Sequence, residues 1–287
     1  MMQELEFYRP RSLNDLLNFL KDNQSYTKII AGGTDIIPGM RQKSSRFTSI
    51  KKLADIYHLE ELKVIKLDDS HLSIGSCATF SQIEANPLVR QYYPLLAKAA
   101  SLIGSTQIRN RATIAGNFIN NAPCADSVPP LLVYNAIVCI QSFKGAYELP
   151  LKDFLIKPYQ TRIKTDEVVT EIRLPILTND YVGEFYKLGR RRGVSISRIS
   201  LAVLMRIQNS MIQDIRIASG AITPTCVRLS AIEEYARGQK ASSDLFKKMA
   251  QQLGHEIIKT TGIRWSSPYK LPVIQQMLYQ ILMKLTY

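Results

Sequence analysis

The pattern of apolar and polar positions predicts a helix and a strand near the start of the chain. Four leucines recur at the spacing of one helix face: Leu13, Leu16, Leu17 and Leu20. Ser12 stands at the position of an N-cap, with Asp15 three residues later. These signals predict an amphipathic helix over residues 12–23. A short β-rich run over residues 27–31 then stops at two glycines, so a strand should lead directly into a glycine turn.

The middle of the chain alternates strand and helix signals without the regular βαβ rhythm of a Rossmann fold. The predicted elements are a hairpin of strands 62–67 and 71–76, a helical stretch over 79–103, a helix over about 127–135 and a second hairpin over 136–151. Residues 68–70, two aspartates and a serine, should form the first hairpin turn. Pro87 and Pro94 should interrupt the helical stretch, because proline disrupts the preceding helical turn.

The pattern changes after residue 176. Three β-rich runs around 183–190, 199–208 and 211–220 precede helices around 228–237, 242–260 and 269–285. Strands and helices in separate blocks predict an α+β layer, a sheet with helices packed on one face. Pro175 and residues 177–180 form the expected boundary, which divides the chain into domains of residues 1–176 and 177–287.

Composition narrows the class of protein. With 287 residues, 46% of them hydrophobic, the chain can bury a sizeable core. The first residues contain acids and arginines where a secretory signal needs an apolar stretch, and no run reaches the length of a transmembrane helix. A cytoplasmic, soluble protein without a membrane partner is therefore expected. The four cysteines form no C-x-x-C pair, so we expect buried thiols and no metal site in this chain.

The net charge of +13 raises the question of nucleic-acid binding. The basic residues are spread along the chain, and Arg190–Arg192 is the one dense run. No recognition helix, zinc finger or RNP-type aromatic motif accompanies them. We therefore expect no nucleic-acid partner, and interpret the charge as a solvated face or a surface for an acidic partner.

The segment Ala31-Gly32-Gly33-Thr34-Asp35 is the first candidate for chemistry. Paired glycines after a strand let backbone N–H groups approach an anion closely, and the Thr34 hydroxyl can add a donor. A pyrophosphate would suit this arrangement, although a simple turn between two elements also explains it. The spacing matches neither the P-loop nor the Rossmann fingerprint, which excludes both classes.

A second segment, residues 107–117, places Arg, Asn, Thr and Gly among small residues. This composition suits a polar ligand better than a hydrophobic core. Asp126 follows nine residues after Asn117, just before the predicted helix. It is interpreted either as a helix N-cap or as an acceptor for ribose hydroxyls.

Taken together, residues 28–35, residues 107–117 and Asp126 resemble the FAD-binding subunits of molybdenum hydroxylases, such as xanthine, nicotinate and carbon monoxide dehydrogenases. The resemblance extends from residues 7–10 to Lys187 and the C-terminal α+β region. It implies an α+β fold: a vanillyl-alcohol-oxidase-like (PCMH-type) FAD-binding domain of two α+β subdomains, followed by a C-terminal domain of the CO dehydrogenase flavoprotein type that closes over the flavin.

The resemblance also implies which residues bind FAD. They are Lys28, Ile29, Ile30, Ala31, Gly32, Gly33, Thr34 and Asp35 in the first segment, Thr113, Ile114, Ala115, Gly116 and Asn117 in the second, and Asp126, Val168 and Lys187. The second segment would wrap the pyrophosphate from the other side, and Asp126 would bind ribose or ribityl hydroxyls. Val168 would pack against the adenine or flavin. Lys187 would lie near the isoalloxazine, where positive charge raises the flavin potential, although a surface lysine at a strand end remains the alternative.

The same resemblance implies the biochemical role. FAD is expected to be noncovalent, because no His or Cys occupies a motif position used for a covalent link. No catalytic acid, base or nucleophile is expected in this chain. A small subunit with [2Fe–2S] clusters and a large molybdopterin subunit would be its partners, with NAD as acceptor, in a dimer of heterotrimers. A free-standing FAD-dependent oxidoreductase of the same fold and a non-enzymatic basic binding module are the alternatives.

Overall fold

The structure is a computed structural model that describes residues 4–191 and 193–287. The chain begins with a small parallel sheet in the order β1-β3-β2. Its elements are β1 (Glu6–Tyr8), α1 (Leu13–Asp22), β2 (Thr27–Ile30), α2 (Ile36–Arg41) and β3 (Lys52–Asp55). Because neighbouring parallel strands need a crossover connection, the carboxyl end of β2 opens onto a loop and a helix rather than a tight turn.

Helix α1 confirms the first sequence prediction. The Ser12 hydroxyl accepts a hydrogen bond from the Asp15 amide at 3.1 Å, which satisfies one of the free N–H groups at the helix start. Leu16, Leu17 and Leu20 are buried against the small sheet and the 59–62 turn. The apolar stripe therefore fixes the helix on the sheet.

A five-stranded antiparallel sheet follows, in the order β4-β5-β10-β6-β7. After a short 3-10 helix at Glu60–Leu62, its elements are β4 (Ile65–Leu67), β5 (His71–Gly75), α3 (Phe80–Ala85), α4 (Pro87–Tyr92), α5 (Pro94–Ser101), α6 (Thr106–Arg109), α7 (Ile114–Asn120), α8 (Val128–Val133), β6 (Ile137–Ser142), β7 (Gly145–Pro150), α9 (Leu151–Phe154), β8 (Leu155–Lys157), β9 (Gln160–Thr161) and β10 (Glu167–Pro175). Both predicted hairpins are present, as β4–β5 and β6–β7. The helical stretch is interrupted where predicted, since Pro87 begins α4 and Pro94 begins α5.

The C-terminal region is a four-stranded antiparallel sheet in the order β11-β12-β13-β14, followed by three helices. Its elements are β11 (Tyr181–Gly189), β12 (Ser197–Gln208), β13 (Met211–Gly220), β14 (Val227–Arg228), α10 (Ser230–Ala236), α11 (Ser243–Thr261) and α12 (Ser267–Thr286). The fold is therefore mixed α and β, as predicted.

One detail of the sheet prediction needs correction, because both faces of this sheet are covered. Leu201 and Val203 of β12 pack in one core with the C-terminal helices. Ala202 and Leu204, which alternate with them, belong to the core that contains α5 and α8. A strand buried on both faces has a nearly continuous apolar sequence, which explains the run in β12. Among the described residues, no helix is long and apolar enough to cross a membrane.

Candidate functional site

A cavity of about 740 Å³ lies where the two glycine segments meet. Most of the predicted site residues line it: Lys28, Ile29, Ala31, Gly32, Gly33, Thr34, Asp35, Thr113, Ala115, Gly116, Asn117 and Val168. These residues come from β2 and the loop after it, the start of α7 and the start of β10. Segments far apart in sequence thus share one concave surface.

The first glycine segment, residues 31–35, needs both of its glycines. Gly33 has φ of +72°, a left-handed conformation that glycine adopts without strain. At Gly32, a Cβ would lie 2.0 Å from the backbone oxygen of Arg111. The absence of a side chain therefore allows the first segment to touch the backbone of Arg111 and Ala112, directly before the second glycine segment.

The amides of this first segment are free. Among the described residues, the backbone N–H groups of Gly32, Gly33, Thr34 and Asp35 donate to no protein acceptor. Successive amides that have no protein acceptor form a site for an anion, because their N–H dipoles converge on one place. This arrangement fits the phosphates of a nucleotide cofactor.

Two side chains near the first segment add to this fit. Thr27 lines the cavity, and its hydroxyl is buried and has no hydrogen-bond partner among the described residues. Lys28 also lines the cavity, and burial together with the nearby Arg46 guanidinium lowers the pKa of its ammonium group. An anionic group in the cavity would satisfy the hydroxyl and offset the repulsion between the two cations.

The second glycine segment, residues 113–117, has a different geometry. Thr113 is the N-cap of α7, and its Oγ1 accepts a hydrogen bond from the Gly116 amide at 3.2 Å. The Ile114 and Ala115 amides donate to the carbonyls of Ala78 and Ser76, and that of Asn117 donates to the Thr113 carbonyl. This segment presents no free amide at these positions. Its contribution is close fit: Gly116 lines the cavity, and a Cβ there would lie 2.9 Å from the Thr113 hydroxyl that caps the helix.

Arg46 is a cavity residue that the sequence did not reveal. Its guanidinium lies 3.2 Å from the Asp35 carboxylate and donates to the Asn120 side chain at 2.8 Å. It also lies over the Tyr159 ring, 4.2 Å from the centroid. Arg46 therefore ties the end of the first glycine segment to helix α7. No periodicity or motif in residues 41–47 indicates this role.

Asp126 and Lys187 form a buried ion pair beside this cavity. Their Oδ2 and Nζ atoms are 2.7 Å apart, with side chains 5% and 7% exposed. The Ser197 hydroxyl also donates to Asp126, and Lys187 donates to the Leu102 carbonyl at 2.7 Å. Burial raises the pKa of the Asp126 carboxyl, while Lys187 and Ser197 oppose that effect. The pair joins the loop before α8 to strand β11.

The interpretation of Asp126 as a helix N-cap is wrong. Ser127 is the residue that precedes α8, and its side chain makes no capping hydrogen bond. Asp126 and Lys187 instead line a second cavity of about 740 Å³, which shares Asn117 and Cys124 with the first. Arg190 and Arg191 also line this second cavity, and Arg192 lies outside the described residues.

The remaining predicted residues differ in how they reach the site. Val168 is buried among residues of α1 and also lines the first cavity. The side chains of Ile30 and Ile114 lie in hydrophobic cores instead and are not part of the cavity wall. They position the two segments by packing. Among the described residues, no cluster of His, Cys, Asp or Glu has the arrangement of a metal site.

Comparisons with known proteins identify the family. Residues 3–177 match the FAD binding domain in molybdopterin dehydrogenase, and residues 184–285 match the CO dehydrogenase flavoprotein C-terminal domain. The putative xanthine dehydrogenase FAD-binding subunit of Escherichia coli is 30% identical, over 98% of this chain and 96% of that protein. The glyceraldehyde dehydrogenase medium chain of Sulfolobus acidocaldarius is 30% identical, over 95% of each chain.

A solved structure supports the same assignment. Carbon monoxide dehydrogenase from Hydrogenophaga pseudoflava lacking the Mo-pyranopterin moiety superposes with a TM-score of 0.91 at 26% identity, covering 100% of this chain and 98% of that chain. Its medium chain is also a sequence relative, 27% identical over 96% of this chain and 95% of the relative. This chain belongs to the family of FAD-binding medium subunits of molybdenum hydroxylase-type complexes, and FAD is its cofactor.

Proposed function

We propose that this chain is the electron-transferring subunit of a xanthine dehydrogenase-like complex. Electrons would enter from [2Fe–2S] clusters on an iron–sulfur small subunit, after substrate oxidation on a molybdopterin large subunit. When bound, FAD supplies the two-electron chemistry that links such one-electron donors to NAD as a hydride acceptor. The chain itself would bind, orient and electrostatically tune the flavin.

The contact between Gly32 and the chain just before the second glycine segment carries this proposal. Gly32 lies so close to the Arg111 carbonyl that a single methyl group would collide with it. The contact leaves the free amides of residues 32–35 at one side of a cavity of about 740 Å³. A cradle of free donors beside a large, partly apolar cavity suits a dinucleotide, which has both phosphates and aromatic rings.

Each segment would then have its own part in FAD binding. Residues 28–35 would hold the pyrophosphate through backbone amides, with Thr27 and Lys28 as additional donors. Residues 113–117 would provide a close-fitting wall, because their amides already have protein acceptors. Val168 would contribute apolar contact to a ring of the cofactor.

Asp126 and Lys187 are proposed to act on the flavin end of the cofactor. Asp126 would accept hydrogen bonds from ribose or ribityl hydroxyls, and Lys187 would place positive charge beside the isoalloxazine. Both side chains line the second cavity, which shares Asn117 and Cys124 with the first, and their ion pair holds each in place. Positive charge at this place stabilises the anionic reduced flavin.

The wider organisation is also proposed. We propose noncovalent FAD binding, a domain division at residue 176, and a dimer of heterotrimers with the iron–sulfur and molybdopterin subunits. A cytoplasmic location agrees with the four cysteines, all of which are free thiols. Homologous relatives named as xanthine and carbon monoxide dehydrogenase subunits support the assembly.

The test is anaerobic reduction of the reconstituted three-subunit complex, followed by flavin absorbance and by NADH formation. We expect substrate to bleach the flavin and NAD to reoxidise it. Lys187→Met should lower the flavin midpoint potential, whereas Lys187→Arg should largely retain it, and Lys66→Met is the control at an exposed lysine of β4 that makes no ion pair with a described residue. A folded wild-type chain that binds no FAD, or a reduced flavin that never reacts with NAD, would contradict the proposal.

A further inference from the structure

The loop between α11 and α12 carries two of the most exposed large apolar side chains in the described structure. Trp265 is 89% exposed and Ile263 is 82% exposed. Gly262 ends α11 with φ of +66°, which directs the chain away from the helix. Single exposed apolar residues are common, but a tryptophan and an isoleucine together are typical of an interaction site.

This loop is held in a defined shape. The Ser267 hydroxyl accepts a hydrogen bond from the Arg264 amide at 2.8 Å, and the Ser267 amide donates to the Arg264 carbonyl at 2.9 Å. Trp265 is therefore presented by an ordered turn. A surface that is ordered before binding loses less conformational entropy in a complex.

Three cations, Arg198, Arg264 and Lys270, lie near one another at the start of α12. The Arg198 guanidinium lies 5.7 Å from the centroid of the Tyr269 ring. Burial and the nearby charges of Arg198 and Arg264 lower the pKa of Lys270. Within residues 4–191 and 193–287, no carboxylate forms an ion pair with any of these three cations. We call Arg198, Ile263, Arg264, Trp265, Tyr269 and Lys270 the Trp265 surface.

The Trp265 surface is continuous with the flavin end of the proposed site. Arg198 lines the cavity that also contains Asp126 and Lys187. Ile196, two residues before Arg198, is 77% exposed and lines both cavities. A protein that covered the surface would therefore lie beside the cavity, where an electron donor to the flavin must approach.

We propose that the Trp265 surface docks the iron–sulfur small subunit through an acidic, partly apolar patch on that subunit. The inference rests on the proposed function and adds the location of the interface. Unneutralised cations select an acidic partner, and Trp, Tyr and Arg are the residues that contribute most to protein interfaces. The exposed apolar side chains favour a permanent subunit over a transient carrier, because permanent interfaces are more apolar.

The test measures binding of the purified iron–sulfur subunit to the FAD-loaded chain. Trp265→Ser with Arg264→Glu should weaken binding by at least about tenfold, while FAD content and melting temperature stay unchanged. The matched control is Phe143→Ser with Lys21→Glu. Phe143 is 53% exposed on the β6–β7 turn and has the Lys21 ammonium 4.2 Å from its ring centroid. The control should bind like the wild type.

A second measurement uses the fact that Trp265 is the single tryptophan of the chain. Labelling only this chain with fluorotryptophan gives one fluorine resonance, which should shift when the iron–sulfur subunit binds. If that subunit binds the wild type and the Trp265 variant equally, the docking proposal is overturned and the proposed function stands. The docking proposal is also overturned if the variant still binds the iron–sulfur subunit but no longer binds the molybdopterin subunit or a second copy of this chain. If the wild type does not bind the iron–sulfur subunit, both proposals fail.

Discussion

The two glycine segments have similar compositions but use their backbones in opposite ways. The amides of Gly32, Gly33, Thr34 and Asp35 have no acceptor among the described residues. The amides of residues 114–117 all donate to protein oxygens, because Thr113 begins a helix and Ala78 and Ser76 lie beside it. Glycine therefore has two separate uses in these segments. In the first segment it leaves backbone N–H groups accessible to a ligand, and in the second it keeps side-chain atoms out of the cavity.

Gly32→Ala should give the largest effect, because it separates the two segments. The new methyl group would lie 2.0 Å from the Arg111 carbonyl oxygen, so the backbone must move. Overpacking of this kind costs about 1–3 kcal/mol of stability. We expect a lower melting temperature and loss of FAD, checked by thermal unfolding and flavin absorbance. Retention of both would mean that the segments are not in contact.

Gly116→Leu should remove FAD while leaving the apoprotein folded. The new Cβ would lie 2.9 Å from the Thr113 hydroxyl, which must shift, and Gly116 lines the cavity, so a leucine there would take up space that the cofactor needs. We expect FAD affinity to fall by at least tenfold, with a loss of apoprotein stability no larger than the roughly 1 kcal/mol of the Thr113 cap. Gly193→Ala, in open space, is the control. If Gly116→Leu lowered the stability of the apoprotein as much as Gly32→Ala does, the second segment would be needed for folding, and its role as a wall of the cofactor cavity would be contradicted.

Replacing one threonine in or beside each segment should separate binding from folding. The Thr27 hydroxyl is buried without a partner, so Thr27→Val should not destabilise the apoprotein but should weaken FAD binding. The Thr113 hydroxyl caps α7, so Thr113→Val should cost about 1 kcal/mol of folding stability. Chemical unfolding and FAD titration measure the two effects. If Thr27→Val lowered the stability and Thr113→Val weakened FAD binding instead, the roles of the two segments would be reversed.

The pH dependence of FAD affinity should be a smaller effect and should depend on the first segment. Burial and Arg46 hold the pKa of Lys28 below its usual value of 10.5. Bound pyrophosphate would favour the charged ammonium and raise that pKa, so binding takes up a proton at alkaline pH. Affinity should therefore fall as pH rises from the lowered pKa towards 10.5 and above. Lys28→Met should make the titration flatter over that range, and an unchanged profile would exclude Lys28 as a phosphate ligand.

Sequence patterns predicted those elements whose signals are local. Proline positions gave the breaks at the starts of α4 and α5, and leucine spacing gave α1. The short strands β1 and β3 were missed, since three or four residues are too few to show a period. Strand β10 was also missed, although it has nine residues, because it is buried on parts of both faces and shows no strict alternation. The C-terminal strands were found because their apolar runs are long, but a pattern cannot say what covers the second face.

The site was predictable where composition marks it and not where tertiary contacts create it. Glycines and small polar residues pointed to both segments. Arg46 and Thr27 acquire their roles only when distant parts of the chain meet, so no local signal identified them. The ion pair of Asp126 with Lys187 joins residues 61 positions apart in sequence, which no spacing rule anticipates.

The most direct test of the account is the response of individual glycine amides to FAD. The chain contains 14 glycines, so labelling with ¹⁵N-glycine gives a spectrum simple enough to assign by substitution. If the first segment binds the pyrophosphate, the Gly32 and Gly33 amide protons should move downfield on adding FAD, as free donors gain an acceptor. The Gly116 amide, already bonded to Thr113, should change little. A large downfield shift at Gly116, with Gly32 and Gly33 unaffected, would contradict the account.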